Sequence, residues 1–237
     1  MVRRPTHQPL QPSHPRLFWC SVGLLALAIE GCSLGPTRGV EPINPALKVP
    51  ALTAPQNLAV ELETPRPEPA TVWQHLQQAD GQLYAVLLRH ALAPGTGDPA
   101  NFRLDDCTTQ RNLSTEGQDQ ARRIGAAFRQ RDIAVVQVLS SQWCRSLDTA
   151  TLMDLGPVEP FEPLNSFFSD RSPAAEQTAQ IRDYLRRQPD RGVIVMVTHQ
   201  VNITALTGVV PGSGQAVVVT LDEARNLVQV GLLDAGE

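Results

Sequence analysis

The residues best suited to chemistry sit in short, separated clusters. Arg89-His90 closes one apolar run, Arg145 follows Ser140-Ser141 at the end of a second, and Thr198-His199 closes a third. Two arginines and two histidines form a set that binds and transfers phosphate. A guanidinium presents a planar fork of donors to phosphoryl oxygens. An imidazole with one unprotonated nitrogen is a nucleophile, and guanidinium groups beside it disfavour its protonated form. The same cations stabilise the oxygens of a phosphoryl group in transfer. A helix opening near Arg145 is expected to add backbone N–H donors. Metal ligation is not indicated. His90 and His199 lie far apart, and neither a His-x-x-x-His nor a Cys-x-x-Cys pair occurs. Pro94-Gly95-Thr96-Gly97 lacks the Gly-Lys-Ser/Thr of a phosphate-binding loop. A cysteine phosphatase needs Arg six positions after its nucleophile, and Leu113 and Ala150 stand there after Cys107 and Cys144. No metal and no cofactor are expected.

These clusters must be carried by strands whose ends meet. Gln82–Leu88, Ile133–Leu139 and Val193–Val197 are apolar and short, and the second reads as buried on both faces. Thr71-Val72-Trp73-Gln74 fits a capping box opening a helix to about Asp80. Ser114 caps a helix with Ala121, Ile124, Ala127 and Phe128 on one face. Ser140-Ser141 caps another through about Leu155, and a fourth runs from about Ser172 to Arg187. A short helix follows His199, and Gln215–Leu221 with Leu227–Leu232 reads as a hairpin. This alternation predicts an α/β class chain, a three-layer α/β/α sandwich with a mostly parallel central sheet. Ligands of such sheets bind outside the carboxyl ends of the strands, where Arg89-His90, Ser140-Ser141 and Thr198-His199 stand.

The first 70 of the 237 residues are a different kind of chain, holding 12 of the 20 prolines. Arg3, Arg4 and Arg16 precede an apolar run from Leu17 to Ile29, the length of a signal-peptide core and short for a membrane span. Gly31-Cys32 resembles a bacterial lipobox, although Glu30 departs from it. Lipidation of Cys32, an ordinary signal peptide or uncleaved anchor, and an apolar stretch without function are the three readings. The first makes the protein an exported, membrane-tethered periplasmic lipoprotein. Residues 33–70 read as a proline-rich flexible tether, and 71–237 as one catalytic domain. Outside the cytoplasm, Cys107 and Cys144 are either a disulfide or two buried thiols. A bond would close 37 residues and contribute about 3–4 kcal/mol in the chain-entropy model. Net charge is −4, with 20 basic and 24 acidic residues, which argues against nucleic acid as a partner.

Four stretches resemble the histidine phosphatase superfamily, the phosphoglycerate-mutase-like group. They are Leu87-Leu88-Arg89-His90-Ala91; Arg111-Asn112-Leu113-Ser114-Thr115-Glu116-Gly117 with Gln120-Ala121; Leu139-Ser140-Ser141 through Arg145 with Thr149-Ala150; and Val197-Thr198-His199 with Ala205-Leu206. The resemblance covers about residues 80–235 in order. It implies an α/β/α fold, a phosphohistidine formed on His90, and a phosphate pocket lined by Arg89, Arg145 and His199. It implies a phosphorylated small molecule or an envelope glycolipid as substrate.

Two features of the family pattern are missing. Gln200, not Asp, follows His199, and Leu164-Asn165-Ser166-Phe167-Phe168 stands where a Glu is expected. The candidates for the acid that protonates the leaving oxygen are Glu176, Asp170, Glu162 and the carboxylates of the loop from Asp98 to Asp106, or no dedicated acid at all. Gln200 and Asn202 either contact substrate or cap the short helix. Arg111 either reaches the pocket or pairs with Asp105 or Asp106. Two further functions remain open: a phosphate-binding scaffold without turnover, and a cytoplasmic phosphohistidine protein phosphatase.

Overall fold

The computed structural model describes residues 69–79 and 81–234. The export signal, Cys32 and nearly all of the tether lie outside the described residues. The apolar runs β1 (Leu83–Arg89) and β4 (Gly192–Thr198) form adjacent strands at the centre of a six-stranded sheet. Val195 and Val197 are wholly buried, so β4 needs no polar face. Next to β4 lies β2 (Val135–Ser140), with the three-residue β3 (Val158–Pro160) at that edge. These four strands are parallel. On the other side, β5 (Gln215–Leu221) pairs antiparallel with β1 and with β6 (Leu227–Asp234).

Side chains alternate across this sheet and supply two cores. Val86, Leu88, Val195 and Val197 face one layer, with α1 (Pro69–Gln77), α2 (Thr115–Arg129) and α3 (Cys144–Met153) contributing Leu76, Phe128 and Met153. Ala85, Leu87, Ile194 and Met196 face the other, with Ile181 and Leu185 of α4 (Ala174–Arg186) and Ile203 of α5 (Gln200–Thr207). The described residues form a three-layer α/β/α sandwich.

Register gathers the chemistry. Arg89 lies opposite Thr198, and Ser140 opposite Val197, so three strands end on one line. The ladder runs one residue further on each side: the amides of His90 and Ser141 donate to the carbonyls of Thr198 and Val197, both at 2.9 Å.

Three local expectations are corrected. α1 begins at Pro69, so Thr71 lies inside its first turn instead of capping it. α3 begins at Cys144, because Ser140 belongs to the strand and the Ser141 hydroxyl is committed to His199. β2 is buried only towards its end, and Val136 is 60% exposed. β3 pairs only with Val138 to Ser140, so the first half of the strand has no partner on that edge.

Helices α2 and α3 touch at Gly125, where an added Cβ would stand 1.8 Å from the Met153 carbonyl oxygen. Backbone cannot yield as a side-chain tip does. Gly125→Ala is expected to cost about 2 kcal/mol or more of stability, read as a lowered urea midpoint. An unchanged midpoint would show that the helices separate freely.

Candidate active site

His90 follows the last residue of β1 and is almost wholly buried. Its Nδ1 lies 2.8 Å from the Ala91 carbonyl oxygen. A carbonyl only accepts, so Nδ1 carries the proton and the lone pair is on Nε2. The turn that fixes this ring is itself held. The Ala91 amide donates to Thr149 Oγ1 at 3.0 Å, and the Leu92 amide to Gln120 Oε1 at 3.0 Å.

Three guanidinium groups border the same cavity of about 160 Å³, with His199 and Gln200 also on its wall. Arg145, from the first turn of α3, directs Nε to His90 Nε2 at 3.2 Å. Its terminal nitrogens clasp Asp98, Nη1 to Oδ1 at 2.6 Å and Nη2 to Oδ2 at 3.1 Å. Trp143 Nε1 and the Arg111 amide also donate to this carboxylate. Arg89 donates Nη1 to the Pro211 carbonyl, while its buried Nε has no partner among the described residues. Arg111 is held by the carbonyls of Gly97, at 2.8 Å, and Ala93. It reaches the cavity and does not pair with Asp105 or Asp106. Asp105 lies near Arg103, and Asp106 caps the turn at Thr108.

His199 stands at the end of β4, its ring 5.4 Å from that of His90. Its Nε2 is 2.8 Å from the Ser141 hydroxyl, which lies 3.3 Å from Asn165 Oδ1. Trp143 packs edge-on against His199 and stacks on Phe102.

Burial and cations set the charge states. Desolvation, then the Arg145 charge, then those of Arg111 and Arg89 hold His90 down to about 3 against the Ala91 carbonyl. His199 is pushed well below the ordinary imidazole range, by burial first and then by His90 and the three arginines. Burial raises the Asp98 carboxyl, but the Arg145 hydrogen bonds and charge outweigh it, helped by Trp143 and the Arg111 amide. Its net direction is down. The site is two neutral imidazoles, three cations and one carboxylate.

Several expected contributors fall elsewhere. Glu176 lies on α4, lines a separate groove and accepts from Gln180 at 3.2 Å. Glu162 lines that groove too, and not the cavity beside His90. Asp170 is exposed and holds the Ser172 amide and hydroxyl. Asn202 is buried, donating to the Asn165 carbonyl at 2.9 Å. Three amides leading into α3 are already used: Gln142 donates to Asn165, Trp143 to Ser141 and Cys144 to Gln110. They are not free to bind an anion.

Cys107 and Cys144 are joined by a disulfide, which ties the loop before Arg111 to the residue before Arg145. Gln110 was not apparent from sequence. It is buried, accepts from Cys144 and donates to the carbonyls of Arg103 and Leu104. A glutamine in a loop carries no pattern; only its place beside Arg111 could have marked it.

No protein-family model matches the chain, and no curated protein matches it. Among solved structures, it is similar to a phosphoserine phosphatase in complex with 3-phosphoglyceric acid from Entamoeba histolytica. The identity is 13%, the TM-score 0.50, and the match covers 64% of this chain and 97% of that one. A protein from an open reading frame of Mycobacterium tuberculosis matches at 15% identity and a TM-score of 0.50, over 64% and 98% of the two chains. The likeness is one of fold: this chain shares the α/β/α architecture of those two structures.

The charge states imply a pH dependence of stability. In the unfolded chain an imidazole titrates near 6.5, whereas folded His90 takes a proton only near 3. Between these values the unfolded state binds the extra proton. The stabilisation is therefore complete above about 6.5 and lost as pH falls towards 3. Urea midpoints measured from pH 7 to 4 should fall less steeply in His90→Asn than in the parent. Equal slopes would contradict a neutral, buried His90.

Proposed function

We propose that the protein is a metal-independent phosphatase that hydrolyses phosphate monoesters through a phosphohistidine on His90. The observation that carries this reading is the His90 ring. Its Nδ1 proton is committed to the Ala91 carbonyl, so Nε2 keeps a lone pair beside three guanidinium groups. Nε2 attacks phosphorus, and the bond to the ester oxygen breaks. Arg89, Arg111 and Arg145 offset the charge on the phosphoryl oxygens. Water then attacks the phosphohistidine, releasing phosphate and restoring His90. The unpartnered Arg89 Nε supports an anion at this place, because a buried donor ordinarily has an acceptor.

Turnover of an activated aryl phosphate tests the reading. His90→Ala should lower kcat by at least about 10³-fold, and acid-labile labelled phosphate should be trapped on the parent alone. Full activity in His90→Ala, or folded parent protein without turnover, would reject it.

We also propose that the domain is exported and held at a membrane through lipid on Cys32. A disulfide between Cys107 and Cys144 supports an oxidising compartment. Cys32→Ala should move the protein from the membrane to the soluble fraction. Unchanged fractionation would count against lipidation.

A further inference from the structure

The cavity places one carboxylate, Asp98, among three arginines. Its partners create a conflict. Arg145 Nε points at His90 Nε2, the lone pair that must attack phosphorus, while both terminal nitrogens of Arg145 are taken by Asp98. In this arrangement the nucleophile is capped and the phosphate-binding fork is occupied. Both are released by one movement, in which Arg145 exchanges Asp98 and His90 for phosphoryl oxygens. A dianion is the stronger acceptor for a guanidinium fork.

We propose that Asp98 is the general acid of this site, held ionised by Arg145 at rest and set free by arrival of the phosphate. This rests on the phosphatase reading above. Once released, Asp98 has lost its charge-assisted hydrogen bonds and lies in a largely desolvated pocket beside a phosphate dianion. Both changes favour its protonated form. The remaining charged or titratable groups on this cavity are Arg89, Arg111, His90 and His199. The proton comes from solvent or from a monoanionic substrate. As the His90 Nε2–P bond forms and the P–O bond breaks, the Asp98 O–H proton passes to the departing alkoxide. Asp98, then ionised, accepts a proton from the water that attacks the phosphohistidine, and phosphate leaves. As phosphate leaves, Asp98 returns the proton it first took up to solvent or to the phosphate and re-forms its ion pair with Arg145, so atoms and charge balance over the cycle.

The position suits the role. Asp98 is part-buried, in a loop whose carbonyls at Ala93 and Gly97 are pinned by Arg111. Trp143 Nε1 donates to Oδ2, so the carboxyl keeps an anchor when Arg145 leaves it. Asp105, Asp106, Asp170, Glu162 and Glu176, the other acidic candidates, do not line this cavity.

A general acid and a residue that only positions Arg145 differ in how they respond to the leaving group. Asp98→Asn keeps the shape and removes the proton. The parent and Asp98→Asn are compared on p-nitrophenyl phosphate, whose leaving group needs no proton, and on an alkyl phosphate, whose leaving group does. The variant should lose at least about 100-fold more kcat on the alkyl ester than on the aryl ester, with Asp98→Glu recovering part of the difference. Equal losses on both esters would make Asp98 a positioning residue, and no loss on either would remove it from the reaction. Both results overturn the proposal while the phosphatase reading stands on the parent's aryl turnover. Should Asp98→Asn not fold, the parent's rates across a series of esters decide. A shallow dependence on leaving-group basicity supports the acid, and a steep one overturns it. No turnover of any ester by the parent rejects both readings together.

Discussion

The architecture around the site follows from keeping three guanidinium groups together out of bulk water. Like charges at this separation repel, and burial adds a desolvation cost for each. Arg89 and Arg111 are both shifted down, by burial first and then by the Arg145 charge. One carboxylate does not neutralise three cations. The rest of the compensation is backbone. Carbonyls of Pro211, Gly97, Ala93 and Arg111 accept from the three side chains. The loops after β1 and before β5 have their shapes because their carbonyls must turn towards these arginines.

The same balance lets an acidic domain hold a cationic cavity. From Thr71 onward the sequence has 14 Arg against 19 acidic residues. The positive charge is therefore a local feature, where many hydrogen bonds hold few cations. It also explains why both histidines are neutral. They share the interior with cations, and a further proton on either would meet all three.

The strand-end chemistry was legible in the sequence because each strand is an unbroken apolar run followed at once by its polar residues. Apolar runs fix where a buried strand stops, and parallel register then aligns the stops. The loops were not legible in this way. Asp98 and Asp170 are both carboxylates in irregular segments, and only the fold shows that one faces Arg145 and the other Ser172. Glu176 was misplaced for a different reason. Its helix could be read, but the direction in which α4 presents that residue depends on packing by Ile181 and Leu185 against the sheet. Ser141 looked like a helix cap because serine after a strand commonly is one; His199 claims it instead. Val136 was expected inside because its neighbours are apolar, yet the edge strand is too short to cover it.

The hairpin of β5 and β6 reaches back to His90. The Gly214 amide lies within hydrogen-bond distance of the Arg89 and His90 carbonyl oxygens, and β5 pairs along β1. The first strand of the sheet is thus enclosed by segments synthesised more than a hundred residues later. Such pairings carry a large loop-closure entropy and form late. During synthesis, His90 emerges long before the partners that would bury it. A chain in that condition holds no assembled arginine cavity, and a ribosome must release almost the entire domain before one can exist.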